Sequence, residues 1–281
     1  MKSAFIGIAK QLVRFWPFRQ LYRITILSRY FWPNIIRGFS WSLRRTETSN
    51  FYYDLTPRNL LELSNFVSVV TKVELSKVSE YVDEVRNDSD LSDHIRTNLL
   101  SDKQMKDSRM LLGRRIGWYA FVRATKPKIV VETGVHQGIG AVTLIRALEK
   151  NALEGFPGRY FGTDIDPGAG ALVSGKFRDT GQVLYGDSLE SLGKLSEEID
   201  LFVNDSDHSA EYESREYELI DAKLSKGALI LGDNSHATDS LINYSQSKGR
   251  GFLLFREEPH NHWYPGAGIG VSFPSSTSEA V

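Results

Sequence analysis

The stretch Glu132-Thr-Gly134-Val-His136-Gln-Gly138-Ile-Gly140 follows directly on the apolar run Ile129 to Val131 and leads into Ala141 to Lys150, whose pattern is helical. Strand, glycine turn and helix in that order make a backbone that turns tightly and lets a ligand approach, with the free N–H groups of the helix start facing it. A nucleotide-like cofactor is implied. Outward from this turn, short apolar runs alternate with helical segments: Ile129 to Glu132, Tyr160 to Asp164, Val183 to Tyr185, Leu201 to Asn204 and Ala228 to Leu231. Alternation at this interval predicts an α/β fold with a doubly wound, mostly parallel sheet. Phe252 to Phe255 and Ile269 to Phe273 flank a segment with Pro259, Pro265, Gly266 and Gly268, which predicts a closing antiparallel hairpin.

The strand ends carry the polar residues. Gly162-Thr-Asp164-Ile-Asp166 closes the second run, where the Asp164 carboxylate can accept both ribose hydroxyls of a cofactor, and Tyr185-Gly-Asp187-Ser188 closes the third, placed to meet an adenine amine. A short-chain dehydrogenase pattern competes for the same glycines, because Tyr244-Ser-Gln-Ser-Lys248 supplies a Tyr-x-x-x-Lys and the reading would be an NAD(P)-dependent oxidoreductase. Its position argues against it. The turn lies 132 residues into the chain, and Leu231 stands where that pattern has a serine, thirteen residues before Tyr244.

The segments Asp200-Leu-Phe-Val-Asn-Asp205-Ser-Asp207-His208 and Lys226-Gly-Ala-Leu-Ile-Leu-Gly-Asp233-Asn234 decide between the two. With them, Lys128 to Phe273 resembles the class I S-adenosylmethionine-dependent methyltransferases. It looks most like the metal-dependent O-methyltransferases that include the catechol, caffeoyl-CoA and macrolide-sugar enzymes. The resemblance implies a seven-stranded Rossmann-like sheet and S-adenosylmethionine as cofactor. It makes Glu132, Gly134, Gly138, Gly140, Asp164, Asp187 and Ser188 the cofactor-binding set, and Asp205, Asp233 and Asn234 the metal ligands. Three oxygen ligands suit Mg²⁺ or Mn²⁺ rather than zinc, and such an ion orients an acceptor hydroxyl and lowers its pKa. His208, three residues past Asp205, is the candidate general base. The plant enzymes tend to carry lysine near this point, and histidine is closer to the sugar-methylating branch.

Bland alternatives stand beside these assignments. Asp205 and Asp207 can cap the following helix, Asp233-Asn234 can be a turn, and His136 and His236 can be loop residues. His260 and His262 lack a third ligand, and Trp263 and Tyr264 either line an acceptor pocket or pack a hairpin.

The chain has 281 residues, no cysteine, and 34 Lys and Arg against 35 Asp and Glu. The absence of cysteine excludes disulfides, thiolate zinc sites and thiol nucleophiles, and a reducing, cytoplasmic setting is expected. The charges are unevenly placed. Met1 to Arg45 holds nine basic residues and no acid, together with Trp16, Trp32 and Trp41, so the remainder is acidic by ten. No apolar run there is long enough to span a bilayer. Phe5, Ile8, Leu12 and Phe15 recur at helical spacing, and Pro17 and Pro33 are expected to divide the arm into short pieces. An anionic membrane surface or packing on a second copy of the chain are the partners this arm fits; nucleic acid fits less well.

The expected division is therefore a basic aromatic arm over residues 1–50, a helical region over 51–127 and a methyltransferase domain over 128–281. Thr56-Pro57 should cap the first helix of the middle region, and Met110 to Ala124 should be helical. The expected activity is metal-assisted O-methylation of a hydroxyl on a sugar, glycoside or glycan, with a small phenol as the alternative acceptor. A non-catalytic membrane-associated scaffold would need none of Glu132, Asp164, Asp205, His208, Asp233 and Asn234.

Overall fold

Seven apolar segments pair into one sheet among the residues described by the computed structural model, 15–43, 53–99 and 111–275. The strands are β1 (Ile129–Thr133), β2 (Arg159–Asp164), β3 (Gly181–Tyr185), β4 (Ile199–Asn204), β5 (Leu224–Asp233), β6 (Gly251–Arg256) and β7 (Gly268–Phe273). Their spatial order is β3-β2-β1-β4-β5-β7-β6. The first five run parallel, and β7 lies antiparallel between β5 and β6, which is the expected closing hairpin.

Register brings the site together. Thr133 stands opposite both Thr163 and Asn204, and Asn204 stands opposite Gly232. The next residues along, Gly134, Asp164, Asp205 and Asp233, therefore emerge side by side at the carboxyl edge. The chain winds outward from β1 to β3 and then restarts at β4, so that edge includes the switch point where α/β sheets bind ligands.

The chain divides into two compact units. One is built on helix α1 (Phe18–Ser42) with Asn261–Pro265, and within it the Trp41 and Trp263 rings lie 5.1 Å apart. Helix α1 runs through Pro33 without ending, against the expected division there. A proline deletes one backbone donor and crowds one carbonyl, and the helical residues on both sides outlast that local loss. None of its described residues is buried. The arm's first helical pattern, Phe5 to Leu12, lies outside the described residues, as does the polar stretch Ser101 to Asp107.

The other unit holds the sheet and the helices ahead of it. Helix α2 (Pro57–Thr71) starts as expected, with Thr56 accepting the Asn59 N–H and proline at the first position. Helices α3 (Leu75–Arg86) and α4 (Ser89–Leu99) follow, and α5 (Arg115–Thr125) packs against α2, α3 and α6 (Ile139–Leu153). Helix α5 begins later than the sequence suggests, because Gly113 turns the chain at φ +53°. Lys126, left-handed ahead of Pro127, ends it. Trp118, Tyr119 and Phe121 of α5 are fully buried. The remaining helices are α7 (Phe177–Thr180), α8 (Ser188–Lys194), α9 (Ala210–Asp221) and α10 (Ser240–Ser247).

Candidate active site

The glycine turn is held against β4 by geometry only glycine tolerates. Gly134 has φ +83°, and a Cβ there would collide with the Asp205 carbonyl. Asp205 N–H in turn donates to the Thr133 carbonyl at 2.9 Å. Asp164 fixes the same turn from β2: Oδ2 accepts the His136 N–H at 2.7 Å and Oδ1 the Asp166 N–H at 2.8 Å. Each oxygen keeps a lone pair for a ligand hydroxyl.

A cavity of about 490 Å³ opens beside these groups, lined by Gly134, Asp164, Asp187, Ser188, Asp205 and Tyr212 among others. That volume suits a nucleoside-sized ligand. Asp187 also caps α8, accepting the Leu189 N–H at 2.8 Å. The Ser188 hydroxyl is committed to the buried Glu216, which Thr133, Asn204 and Ser206 also hydrogen-bond. Gly138 and Gly140 lie in a smaller adjoining recess with Glu132 and Arg115. The Glu132 carboxyl is 1% exposed and accepts the Tyr160 hydroxyl; burial pushes its pKa up to about 8.

Next to the cavity, ligand atoms of Asp205, His208 and Asp233 all lie within 4.8 Å of one another. His208 Nε2 is 3.7 Å from Asp205 Oδ1, and the Asn234 amide donates to Nε2 at 3.1 Å. Glu213, 3.7 Å from Nδ1, raises the histidine's pKa against the opposing effect of burial. Asn234 adopts a left-handed φ of 54°. Burial and, after it, the charge of the adjacent Asp233 hold the Asp205 carboxyl well above the usual carboxylate range. Burial also opposes ionisation of Asp233, and Arg114 overcomes it by donating Nε and Nη2 to its two oxygens, the latter at 2.6 Å. Arg114 Nη1 is also 3.7 Å from Glu257, whose carboxylate accepts the Tyr53 hydroxyl at 2.8 Å.

This donor set fits a hard divalent cation. Two carboxyls and an imidazole bring ligand atoms within 4.8 Å of one another, and Arg114 leaves each Asp233 oxygen a lone pair. The arrangement places His208 with Asp205 and Asp233, and turns the Asn234 amide towards His208.

Ser209 caps α9 by accepting the Tyr212 N–H, and Asp207 accepts the Ser209 N–H, so the Asp205 carboxyl is not spent on a cap. Tyr244 and Lys248 both bind Asp221 from α10, at 2.7 and 2.6 Å. Tyr244 is buried, not exposed as a surface helix turn would be. His260 donates its backbone N–H to Asp54, and Trp263 and Tyr264 belong to the α1 unit.

Sequence reading missed Arg114, Arg115, Glu257 and Glu216. The visible signal was Gly113-Arg114-Arg115 at the start of an apolar helix, where cations oppose the helix dipole and need acidic partners.

The strand order and this edge are those of the Rossmann-like α/β fold that class I methyltransferases share. Residues 131–235 match the family described as "Methyltransferase domain". Comparison with the curated proteins gives no match. Among solved structures, the chain is similar to the O-methyltransferase TomG from Streptomyces achromogenes, involved in tomaymycin synthesis and solved with S-adenosylmethionine. The two share 12% identity over 68% of this chain and 91% of that one, at a TM-score of 0.50. A methyltransferase from Geobacter sulfurreducens gives 18% identity, 72% and 97% coverage and a TM-score of 0.48. A Podospora anserina methyltransferase gives 15%, 72% and 95%, and 0.48. At such identity the likeness to TomG establishes the fold.

Proposed function

We propose that this protein moves a methyl group from S-adenosylmethionine to a hydroxyl oxygen, with divalent-ion assistance, and that the acceptor is a sugar, glycoside or glycan. The observation that carries this reading is the junction of the 490 Å³ cavity with the Asp205–His208–Asp233 cluster through the shared Asp205. Asp164 takes the ribose hydroxyls, Asp187 faces the adenine side, and Glu132 faces the amino-acid end. S-adenosylmethionine supplies an electrophilic methyl. Asp205, Asp233 and Asn234 are the groups to hold Mg²⁺ or Mn²⁺, whose chemistry there is Lewis-acid polarisation of an oxygen. His208 accepts the acceptor's proton at a ring nitrogen, for which it must be neutral. The choice of sugar over phenol rests on histidine at this position.

The arm adds a location. Exposed Leu21, Phe31, Trp32, Ile35 and Phe39, with Arg19, Arg23 and Arg37 on another face of α1, support docking on an anionic bilayer. A lipid-linked acceptor fits such a location. No helix among the described residues is long and apolar enough to cross a membrane.

Methyl transfer to a panel of glycosides and phenols, with and without EDTA, tests the reading. Transfer to a glycoside that stops on chelation and returns with Mg²⁺ or Mn²⁺ supports it. Full activity in excess EDTA removes the ion, and exclusive transfer to phenols removes the sugar.

A further inference from the structure

Two arginines open α5, Arg114 at its N-cap and Arg115 at its first position. Both stand at the positive end of the helix dipole, so each needs an anion to be tolerated there. Arg114 has Asp233 and Glu257. Arg115 differs: its Nε and Nη1 are buried and make no hydrogen bond. Buried donors are rarely left unpaired, and a charged one in a recess marks a position for an acceptor that arrives from outside.

The surroundings narrow what arrives. Arg115 shares its recess with Glu132, Gly134, Gly138, Gly140 and Asp205, next to the larger cavity. Neither nearby acid takes Arg115 Nε or Nη1, and Glu132 accepts the Tyr160 hydroxyl with one of its two oxygens. The glycines keep the recess open to backbone-close approach, and the planar guanidinium fork matches a carboxylate bidentately. The Trp118 ring, 5.7 Å from the guanidinium carbon, flanks the fork.

We infer that Arg115 receives the α-carboxylate of the cofactor's amino-acid end, with Glu132 opposite it for the α-ammonium. This rests on the cofactor reading above and extends the cofactor site beyond the glycine turn, to a helix that precedes β1. It also explains the paired arginines: one braces the acidic cluster, the other is reserved for the ligand.

The test compares two ligands on the full chain by calorimetry. S-adenosylhomocysteine carries the amino-acid end, and 5′-methylthioadenosine keeps the nucleoside and thioether but lacks it. In Arg115→Ala, S-adenosylhomocysteine affinity should fall by about 10- to 100-fold, while 5′-methylthioadenosine affinity changes less than about threefold. Arg115→Lys should recover part of the loss, which guards against a folding defect in the alanine variant. Equal losses for both ligands, or a loss under threefold for S-adenosylhomocysteine, overturn the proposal. If the unaltered protein binds neither ligand, the cofactor reading itself falls, and the assignment of Arg115 falls with it.

Discussion

The arginines of α1 and those of the sheet unit meet opposite environments. Arg23, Arg29 and Arg37 are exposed on a helix with no buried residue and no acid on it among the described residues. Arg114 and Arg123 are almost wholly buried, clamped on Asp233 and Glu257 in one case and on Glu84, Asn151 and Glu154 in the other. These two buried guanidiniums are committed to their own chain's acids, because an unpaired charge there is costly. The exposed ones face solvent from a helix that offers them no acid.

The largest effect expected inside the site is on chemistry. His208→Ala should lower turnover by about 10²- to 10⁴-fold, with S-adenosylhomocysteine affinity within about threefold of the unaltered protein in a binding titration. A turnover loss under threefold removes His208 from proton transfer.

Next comes the framework. Arg114→Ala strands Asp233 and Glu257 in the interior and should destabilise the fold by about 3–5 kcal/mol. Arg37→Ala on α1 should change stability by less than about 0.5 kcal/mol. Urea melts of the two variants side by side check this contrast, and equal shifts would erase it.

Asp164→Ala should weaken S-adenosylhomocysteine binding by about 1.5–3 kcal/mol, the range for hydrogen bonds to a charged group. It also releases the His136 and Asp166 N–H groups. Titration with adenosine as well as S-adenosylhomocysteine should show the same loss for both, since both carry the ribose.

Per pH unit, a lesser effect follows from Glu132, whose pKa stands at about 8 in the fold against an ordinary 4.5. The folded state keeps a proton that the unfolded chain gives up. The stability of the ligand-free protein should therefore be highest below pH about 4.5 as far as this group is concerned, and decline up to about 8, by at most about 1.4 kcal/mol per pH unit. Glu132→Gln should flatten that slope in denaturation series at stepped pH; an unchanged slope assigns it to other groups.

The least effect per residue belongs to the arm. Each cation near an anionic bilayer contributes on the order of 1 kcal/mol at most, and salt screens it. Flotation with phosphatidylserine-containing vesicles should recover the full chain at low salt, and a chain starting near Phe51 should stay behind. Equal flotation of both, or of neither, assigns α1 to packing on a second copy, and light scattering should then show truncation changing the oligomeric mass.

Much of the sheet was legible because parallel strands buried on both faces read as apolar runs, and the polar residues at their ends fall at fixed offsets from those runs. Asp164, Asp205 and Asp233 were found that way. Arg114 and Arg115 were not, because they come from a helix outside the repeating strand–helix pattern and reach the site only through tertiary packing of α5 on α6. Glu257 was hidden for the same reason, just past β6. Pro33 misled because proline's local cost does not always end a helix. Glu216, 28 residues from Ser188, accepts its hydroxyl, a partner that the spacing along the chain gives no sign of.

Every role given to the strand ends depends on the cavity at the carboxyl edge of the sheet being a site for S-adenosylmethionine. Calorimetric titration of the full chain with S-adenosylhomocysteine and, separately, with NAD tests it most directly. Saturable one-to-one binding of S-adenosylhomocysteine with no heat from NAD is the predicted result; NAD binding with none of S-adenosylhomocysteine would contradict it.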